Sequence, residues 1–196
     1  MYNDFGMESP MRPPMGGVLT ADELLHMPDD DFRYELVGGR LIRMSPTGSV
    51  HGAIAGQLAA ALINWVDQRD LGHVFVETGF HLAVDPDTVR APDVSFVEKR
   101  RIPLSGIPRA YWRGAPDLAI EVLSPDDSPA EMDEKVREYL DYGARAVWVV
   151  DPDAHAVTVH GSDGPPQTVR EPEWLDGGLV LPGFRCSLAQ IFKGLG

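Results

Sequence analysis

One strand-like stretch, APDLAIEVLSP from Ala115 to Pro125, carries a glutamate, Glu121, among apolar side chains. An ionised carboxylate inside a protein core costs several kcal/mol unless something pairs with it. Glu121 therefore needs either a structural ion-pair partner or a bound cation, and the residue alone leaves both interpretations open.

A second acid, Asp93, occupies a similar phrase, APDVSFV. Residues two apart share a strand face, so Glu121 points away from the face of Ile120 and Val122. If the two phrases form neighbouring strands, Asp93 and Glu121 can point into the same space. Two such carboxylates repel each other, and Mg²⁺ held by one or two carboxylates is a common resolution. Asp93 follows a proline, however, and could instead cap a turn.

A lysine in the following helical segment is the third candidate. Lys135 lies next to Val136 at the edge of that helix's apolar stripe, and its long side chain could reach back over the end of the strand. There it would orient a water molecule or stabilise negative charge on a phosphate. The alternative is a surface ion pair with Glu131, four residues earlier.

Residues 98–114 form the only basic, aromatic-containing segment, with Tyr111 and Trp112 beside its cations. Phosphate contact with base stacking is one use of such a segment, and a solvated loop paired with the protein's own acids is the other. Its candidate nucleic-acid-binding residues are Lys99, Arg100, Arg101, Arg109 and Arg113.

Composition bounds the remaining choices. The formal net charge of -13 over 196 residues argues against a non-specific nucleic-acid coat but permits a nuclease with a local basic patch. One cysteine suits a cytoplasmic protein, and no apolar run is long enough for a membrane span. The chain lacks the motifs of P-loop hydrolases, dinucleotide-binding dehydrogenases, zinc proteases and serine hydrolases. No sugar-stacking aromatic residues accompany the acids, which disfavours a two-carboxylate glycosidase.

The apolar patterns give the order helix, hairpin, helix, two or three strands, helix, strand, strand. YELVGGRLIRM predicts a hairpin that turns at Gly38 and Gly39, and SVHGAIAGQLAAALINWVDQRD predicts a long helix ending near Leu71 or Gly72. Such an order indicates an α/β or α+β fold, a mixed sheet flanked by helices, in one domain over residues 18–196. Residues 1–17, rich in Met, Pro and Gly, are predicted to be a flexible segment without a signal peptide.

Four phrases together resemble the bacterial Uma-type restriction endonuclease family of the PD-(D/E)XK nuclease superfamily. They are YELVGGRLIRMSPTGSVHG, RAPDVSFV, PDLAIEVLSPDDS and EKVREYLDYGARAVWVVDP, and the resemblance spans roughly Ala21 to Phe192. It implies a restriction-endonuclease-like core and a Mg²⁺- or Mn²⁺-dependent DNA endonuclease. A catalytically inactive member that binds DNA or a protein is the alternative, and exposed edge strands favour a homodimer.

The resemblance also assigns residues. Asp93 matches the motif's first aspartate and Glu121 its second acid, and together they would hold the metal. The motif lysine is expected two positions after Glu121, where this chain has Leu123, and Lys135 is the matching lysine of the Uma-type pattern. Glu35 would be an additional metal or water ligand, and His51 would meet a phosphate or a neighbouring acid.

Overall fold

The computed structural model describes residues 17–28, 32–125, 127–162 and 164–195, so the predicted flexible segment lies outside it except for Gly17. Within these ranges the helices are α1 (Ala21–Leu25), α2 (Ser49–Arg69), α3 (Pro129–Asp141), α4 (Leu188–Ile191) and a 3₁₀ turn at Lys99–Arg101. The strands are β1 (Arg33–Val37), β2 (Arg40–Met44), β3 (Gly72–Val76), β4 (Phe80–Ala83), β5 (Thr88–Arg90), β6 (Val94–Glu98), β7 (Trp112–Arg113), β8 (Leu118–Val122), β9 (Ala146–Asp151), β10 (Ala156–Gly161), β11 (Gln167–Arg170), β12 (Trp174–Asp176) and β13 (Arg185–Ser187).

The larger sheet has six strands in the order β11-β10-β9-β8-β6-β3. Strands β8 and β9 are parallel and α3 connects them, whereas the other neighbours are antiparallel. The two similar sequence phrases form β6 and β8, which lie side by side as predicted. The mixed α/β class is therefore confirmed.

A second sheet has the order β2-β1-β5-β4-β7. Its β1–β2 hairpin turns at Gly38 and Gly39, whose φ angles of 54° and 74° lie in the left-handed region. Two consecutive left-handed residues are what a two-residue hairpin loop needs, and glycine adopts them without a steric penalty. The hairpin prediction is confirmed, and the turn fixes the register that places Glu35 on β1.

Alternate side chains of β8 pack into two different apolar clusters, one on each face of the strand. Leu118, Ile120 and Val122 pack in the cluster that α2 covers, whereas Ala119 packs in the cluster on the α3 side. The α2 cluster receives side chains at three- to four-residue spacing along the helix, namely Ile54, Leu58, Leu62 and Val66. The α3 cluster also contains Phe80 and Trp112 of the second sheet. Glu121 shares the parity of Ala119, so it belongs to the side where α3 and the second sheet meet.

Two details differ from the sequence predictions. Helix α2 ends at Arg69, earlier than predicted, because Asp70 adopts a left-handed conformation at its C-cap. Residues after β10 form three further strands, β11 to β13, that weak apolar periodicity did not indicate. Among the described helices, none has the length and apolar character that crossing a membrane requires.

Gly72 and Gly56 give opposite predictions for stability. A Cβ atom at Gly72 would lie 2.1 Å from the carbonyl oxygen of Val97 and 2.8 Å from the amide nitrogen of Lys99. Because both are backbone atoms, which cannot move aside as a flexible side chain can, we expect Gly72→Ala to lower the free energy of unfolding by about 1–3 kcal/mol. Gly56 is exposed in α2, and no atom lies near its added Cβ. Because alanine favours a helix more than glycine does, Gly56→Ala should raise the free energy of unfolding by about 0.5–1 kcal/mol.

Urea denaturation of both variants under the same conditions measures these changes. An unchanged midpoint for Gly72→Ala would contradict the close β3–β6 backbone approach.

Candidate functional site

Asp93, the residue before β6, lies beside the end of β8 that carries Glu121. The antiparallel register of the two strands pairs Val94 with Ile120, the residues next to Asp93 and Glu121 in the sequence. The amide N–H of Val122 donates to Asp93 Oδ2 at 2.7 Å, which extends the ladder through a side chain. Both carboxylates line one cleft of about 540 Å³. Strand parity and register thus bring together the two acids that the sequence singled out.

Glu121 is 4% exposed, and other polar side chains contact both of its oxygens. The Tyr139 hydroxyl donates to Oε1 at 2.8 Å, and the Lys135 ammonium lies 3.4 Å from Oε2. Burial raises the pKa of Glu121 to about 7, with further upward contributions from the negative charges of Asp93 and Glu35, whereas Lys135 and Tyr139 act to lower it. Excess negative charge in a buried site is typical of functional positions.

Helix α3 presents Lys135, Glu138 and Tyr139 on one face, at positions i, i+3 and i+4. The helix begins with a capping box, in which the Glu131 carboxylate accepts from the Ser128 N–H and hydroxyl. Glu131 is therefore used at the N-terminus of α3, and the ion pairs that the structure gives Lys135 are with the buried acids instead.

Lys135 lies between two carboxylates from different sheets. Its ammonium nitrogen is 3.4 Å from Glu121 Oε2 on β8 and 3.6 Å from Glu35 Oε1 on β1. Burial by itself would lower the pKa of Lys135, but the charges of the two glutamates outweigh it and raise the pKa. The lysine is therefore held in its charged form inside the cleft.

Glu35 is 2% exposed and has a buried arginine as its second partner. Arg90 Nη1 donates to Glu35 Oε2 at 2.9 Å, and the Ala91 N–H donates to Oε1 at 3.0 Å. Arg90 also donates from Nε to Glu138 Oε2 at 2.6 Å. One guanidinium thereby joins β1, β5 and α3.

His51, in the first turn of α2, is 7% exposed, and its Nε2 lies 3.1 Å from Asp93 Oδ2. Burial lowers the pKa of His51, but the hydrogen bond to Asp93 and the charges of Asp93 and Glu121 more than offset this, so the pKa is raised. The five predicted catalytic residues, Glu35, His51, Asp93, Glu121 and Lys135, all line the same cleft.

The predicted nucleic-acid-binding residues are divided between two places. Lys99, Arg100 and Arg101 follow the far end of β6, about 20 Å of strand from Asp93. They pair with Asp70, Glu98 and Asp117 respectively. Arg109 and Arg113 are exposed and flank Tyr111, which lines the cleft. Trp112 is buried in the core beside Phe75 and is not a stacking surface.

Four residues at or beside the cleft were not identified from the sequence. Arg33 and Arg43, on β1 and β2, line it, while Arg90 and Tyr139 support its acids. Tyr139 had a usable signal, because it is four residues after Lys135 and therefore on the same helix face. Arg90 had none, since its contacts with Glu35 and Glu138 join elements far apart in the sequence.

The acids of the cleft offer oxygen donors to a divalent cation. No group of three or more His, Cys, Asp or Glu residues in the described ranges is arranged to hold a metal ion. Asp93 and Glu121, which line the same cleft, fit the other arrangement, in which Mg²⁺ takes one or two carboxylates and fills its remaining positions with water and phosphate. The pair is compatible with such an ion.

The chain matches a family of known proteins in sequence and a solved structure in fold. The Uma2 family model, described as "Putative restriction endonuclease", matches residues 21–189. A crystal structure of "a putative nuclease belonging to DUF820" from Anabaena variabilis superposes with a TM-score of 0.78 at 25% sequence identity, covering 89% of this chain and 97% of that one. Among curated proteins, none is significantly similar to the chain.

The hydrogen bond from Tyr139 to Glu121 predicts a stability difference between two tyrosines. Tyr139→Phe removes a donor from a buried carboxylate, so we expect the free energy of unfolding to fall by about 1.5–3 kcal/mol. Tyr142→Phe, at the exposed end of α3, should change it by less than about 0.5 kcal/mol. Equal urea midpoints for the two variants would show that the Tyr139 hydroxyl does not support the carboxylate.

Proposed function

This chain belongs to the Uma2 family, and from that membership we propose that it is a metal-dependent DNA endonuclease that hydrolyses phosphodiester bonds. The observation that carries the proposal is the cross-strand pair of Asp93 and Glu121 in one cleft, with the Lys135 ammonium 3.4 Å from Glu121. We propose that Asp93 and Glu121 hold Mg²⁺ or Mn²⁺. When bound, the cation would supply Lewis-acid polarisation of the phosphate and acidify water.

The chain's own residues have distinct roles in this proposal. Hydrolysis places additional negative charge on the phosphoryl oxygens as water bonds to phosphorus, and a fixed ammonium group stabilises that charge. Lys135 meets this requirement because two buried carboxylates keep it protonated. It also orients the attacking water. A lysine from α3 thus takes the role that a lysine at position 123 would have.

His51 completes the floor of the cleft. Its contact with Asp93 orients that carboxylate, and its pKa, raised by the surrounding acids, favours the protonated ring. When protonated, the ring compensates part of the acidic charge that a phosphate must approach. We therefore assign His51 to phosphate approach and to the orientation of Asp93.

Substrate contact is proposed for the arginines of the cleft. Arg33 pairs with Glu77, and the Arg43 guanidinium lies over the Phe32 ring at 4.5 Å. Both are exposed, so their remaining donors can meet the phosphates on either side of the cleaved bond. Arg109 and Arg113 would extend this contact past Tyr111. A longer duplex would reach Lys99, Arg100 and Arg101.

Cleavage of supercoiled plasmid in Mg²⁺ or Mn²⁺ tests the proposed activity. We expect the wild-type protein to nick the plasmid, and Asp93→Asn, Glu121→Gln and Lys135→Met each to slow cleavage by about 100-fold or more, because each removes charge from the reacting centre. Glu134→Gln, an exposed neighbour of Lys135 on α3, is the control and should cleave at the wild-type rate.

The outcomes separate the proposal from its alternative. DNA binding by the wild-type protein without cleavage in either metal would favour the inactive binding module. Cleavage that persists in Glu121→Gln would place the chemistry elsewhere.

Salt dependence of DNA binding tests the arginine contacts. Each phosphate contact contributes a slope of about -0.9 to the plot of log affinity against log salt, so Arg43→Ala should make the slope shallower by about that amount. Arg137→Ala, an exposed arginine of α3 that does not line the cleft, should leave the slope unchanged. Fluorescence anisotropy with a labelled duplex at several salt concentrations measures both, and identical slopes for the two variants would exclude Arg43 from the phosphate contacts.

A further inference from the structure

We infer that Glu35 is a positioning residue rather than a metal ligand, and that Arg90, Glu35 and Glu138 form a clamp that holds the Lys135 ammonium against Glu121. The inference rests on the proposed function, because it states how that site fixes its lysine. It also changes the role that the family resemblance implies for Glu35, and it gives roles to two residues, Arg90 and Glu138, that the resemblance does not assign.

Both carboxylate oxygens of Glu35 contact protein donors. Oε2 accepts from Arg90, and Oε1 accepts from the Ala91 N–H and lies 3.6 Å from the Lys135 ammonium. Each oxygen therefore already has a protein donor, in a side chain that is 2% exposed.

Among the described residues, the side-chain hydrogen bonds of Asp93 all go to Oδ2, so its other oxygen is available to a ligand. Glu121 also has a donor at each oxygen, but its ion pair among these residues is with Lys135 alone, and the nearby charges of Asp93 and Glu35 leave an excess of negative charge there. Glu35 has two cationic partners, Arg90 and Lys135. Asp93 with Glu121 therefore suits a metal, and Glu35 suits a lysine.

Arg90 joins Glu35 to helix α3. Its Nη1 contacts Glu35 on β1, and its Nε contacts Glu138 on α3, three residues after Lys135. A guanidinium is planar and presents its donors in a fixed fork, so the two carboxylates are set at one relative position. Because Lys135 and Glu138 share a helix face, this contact fixes the rotation of α3 at the turn that carries the lysine.

The charge of Glu35 also determines where the Lys135 ammonium lies. Lys135 is attracted to Glu35 and Glu121 over nearly equal distances, 3.6 and 3.4 Å. Removing the charge of Glu35 would leave Glu121 as the closest counter-charge, and the ammonium would move onto that carboxylate. The lysine would then compete with a bound cation for Glu121 and leave the position from which it can contact a phosphate. Glu35 therefore acts through Lys135.

A double-mutant cycle tests this dependence in the cleavage assay. Glu35→Gln removes the charge and keeps one acceptor oxygen, for either Arg90 or Ala91, and we expect a 10- to 100-fold loss of kcat with little change in KM. In a Lys135→Met background, the same substitution should cause no further loss, because the group that it positions is gone. A residual loss equal to the single-mutant effect would overturn the clamp. So would full recovery of the Glu35→Gln rate at high Mn²⁺, which a metal ligand would give.

A second measurement is independent of catalysis. The ¹⁵Nζ NMR signal of Lys135 should show a protected ammonium group in the wild-type protein, and Glu35→Gln should shift it or abolish its protection. Glu138→Gln keeps the charge of Glu35 and should cause a smaller shift in the same direction. Glu134→Gln, beside Lys135 but exposed, should leave the signal unchanged.

The NMR and cleavage measurements distinguish failure of the clamp from failure of the proposed function. An altered Lys135 signal in a protein that cleaves no DNA would support the clamp and reject the proposed function. An unaltered signal in folded Glu35→Gln, established by its circular dichroism and unfolding midpoint, would reject the clamp whatever the activity. Arg90→Lys should change the Lys135 ¹⁵Nζ signal in the same way as Glu35→Gln. If Arg90→Lys does not fold, the result for Glu35→Gln decides the outcome.

Discussion

The arrangement of this protein depends on neutralising several buried charges at once. Glu35 and Glu121 are almost inaccessible to solvent, Lys135 lies between them, and Arg90 pairs with Glu35. Any one of these ions alone would cost several kcal/mol, so the four stabilise one another only if all are in place. They come from β1, β8, β5 and α3. Compensation therefore requires the second sheet, the larger sheet and the helix to meet at a single point.

Strand β8 is both a core strand and part of a polar site because its two faces have different neighbours. One face of the strand supplies Leu118, Ile120 and Val122 to the core under α2. On the other face, Ala119 packs in the apolar cluster on the α3 side, and Glu121 lines the cleft. Because side chains alternate along a strand, the polar site adds no charge to the α2 core. The local excess of acid is confined to the cleft, where burial and Asp93 raise the pKa of Glu121.

The sequence was informative where local geometry decides the outcome. Strand parity and the repeated phrase were sufficient to place Asp93 and Glu121 on one face of neighbouring strands, and two adjacent glycines were sufficient to place the hairpin. Arg90 could not be found in this way, because its partners are 55 and 48 residues distant in the sequence. The i,i+4 spacing of Glu131 and Lys135 also suggested a surface pair. Capping of α3 engages Glu131 instead, a competition that spacing alone does not resolve.

The position of the lysine explains why an additional clamp is needed. A lysine at position 123 would share the strand face of Glu121, and the strand itself would fix its direction. This chain has Leu123 there and supplies the charge from Lys135 on α3, whose orientation depends on how the helix packs. The position of the Lys135 ammonium therefore depends on the rotation of α3 about its axis. Contacts from β1 and β5 to α3 remove that freedom, and Arg90 with its two carboxylates provides them. With the lysine on a helix and not on the strand, its position is fixed by Glu35, Arg90 and Glu138.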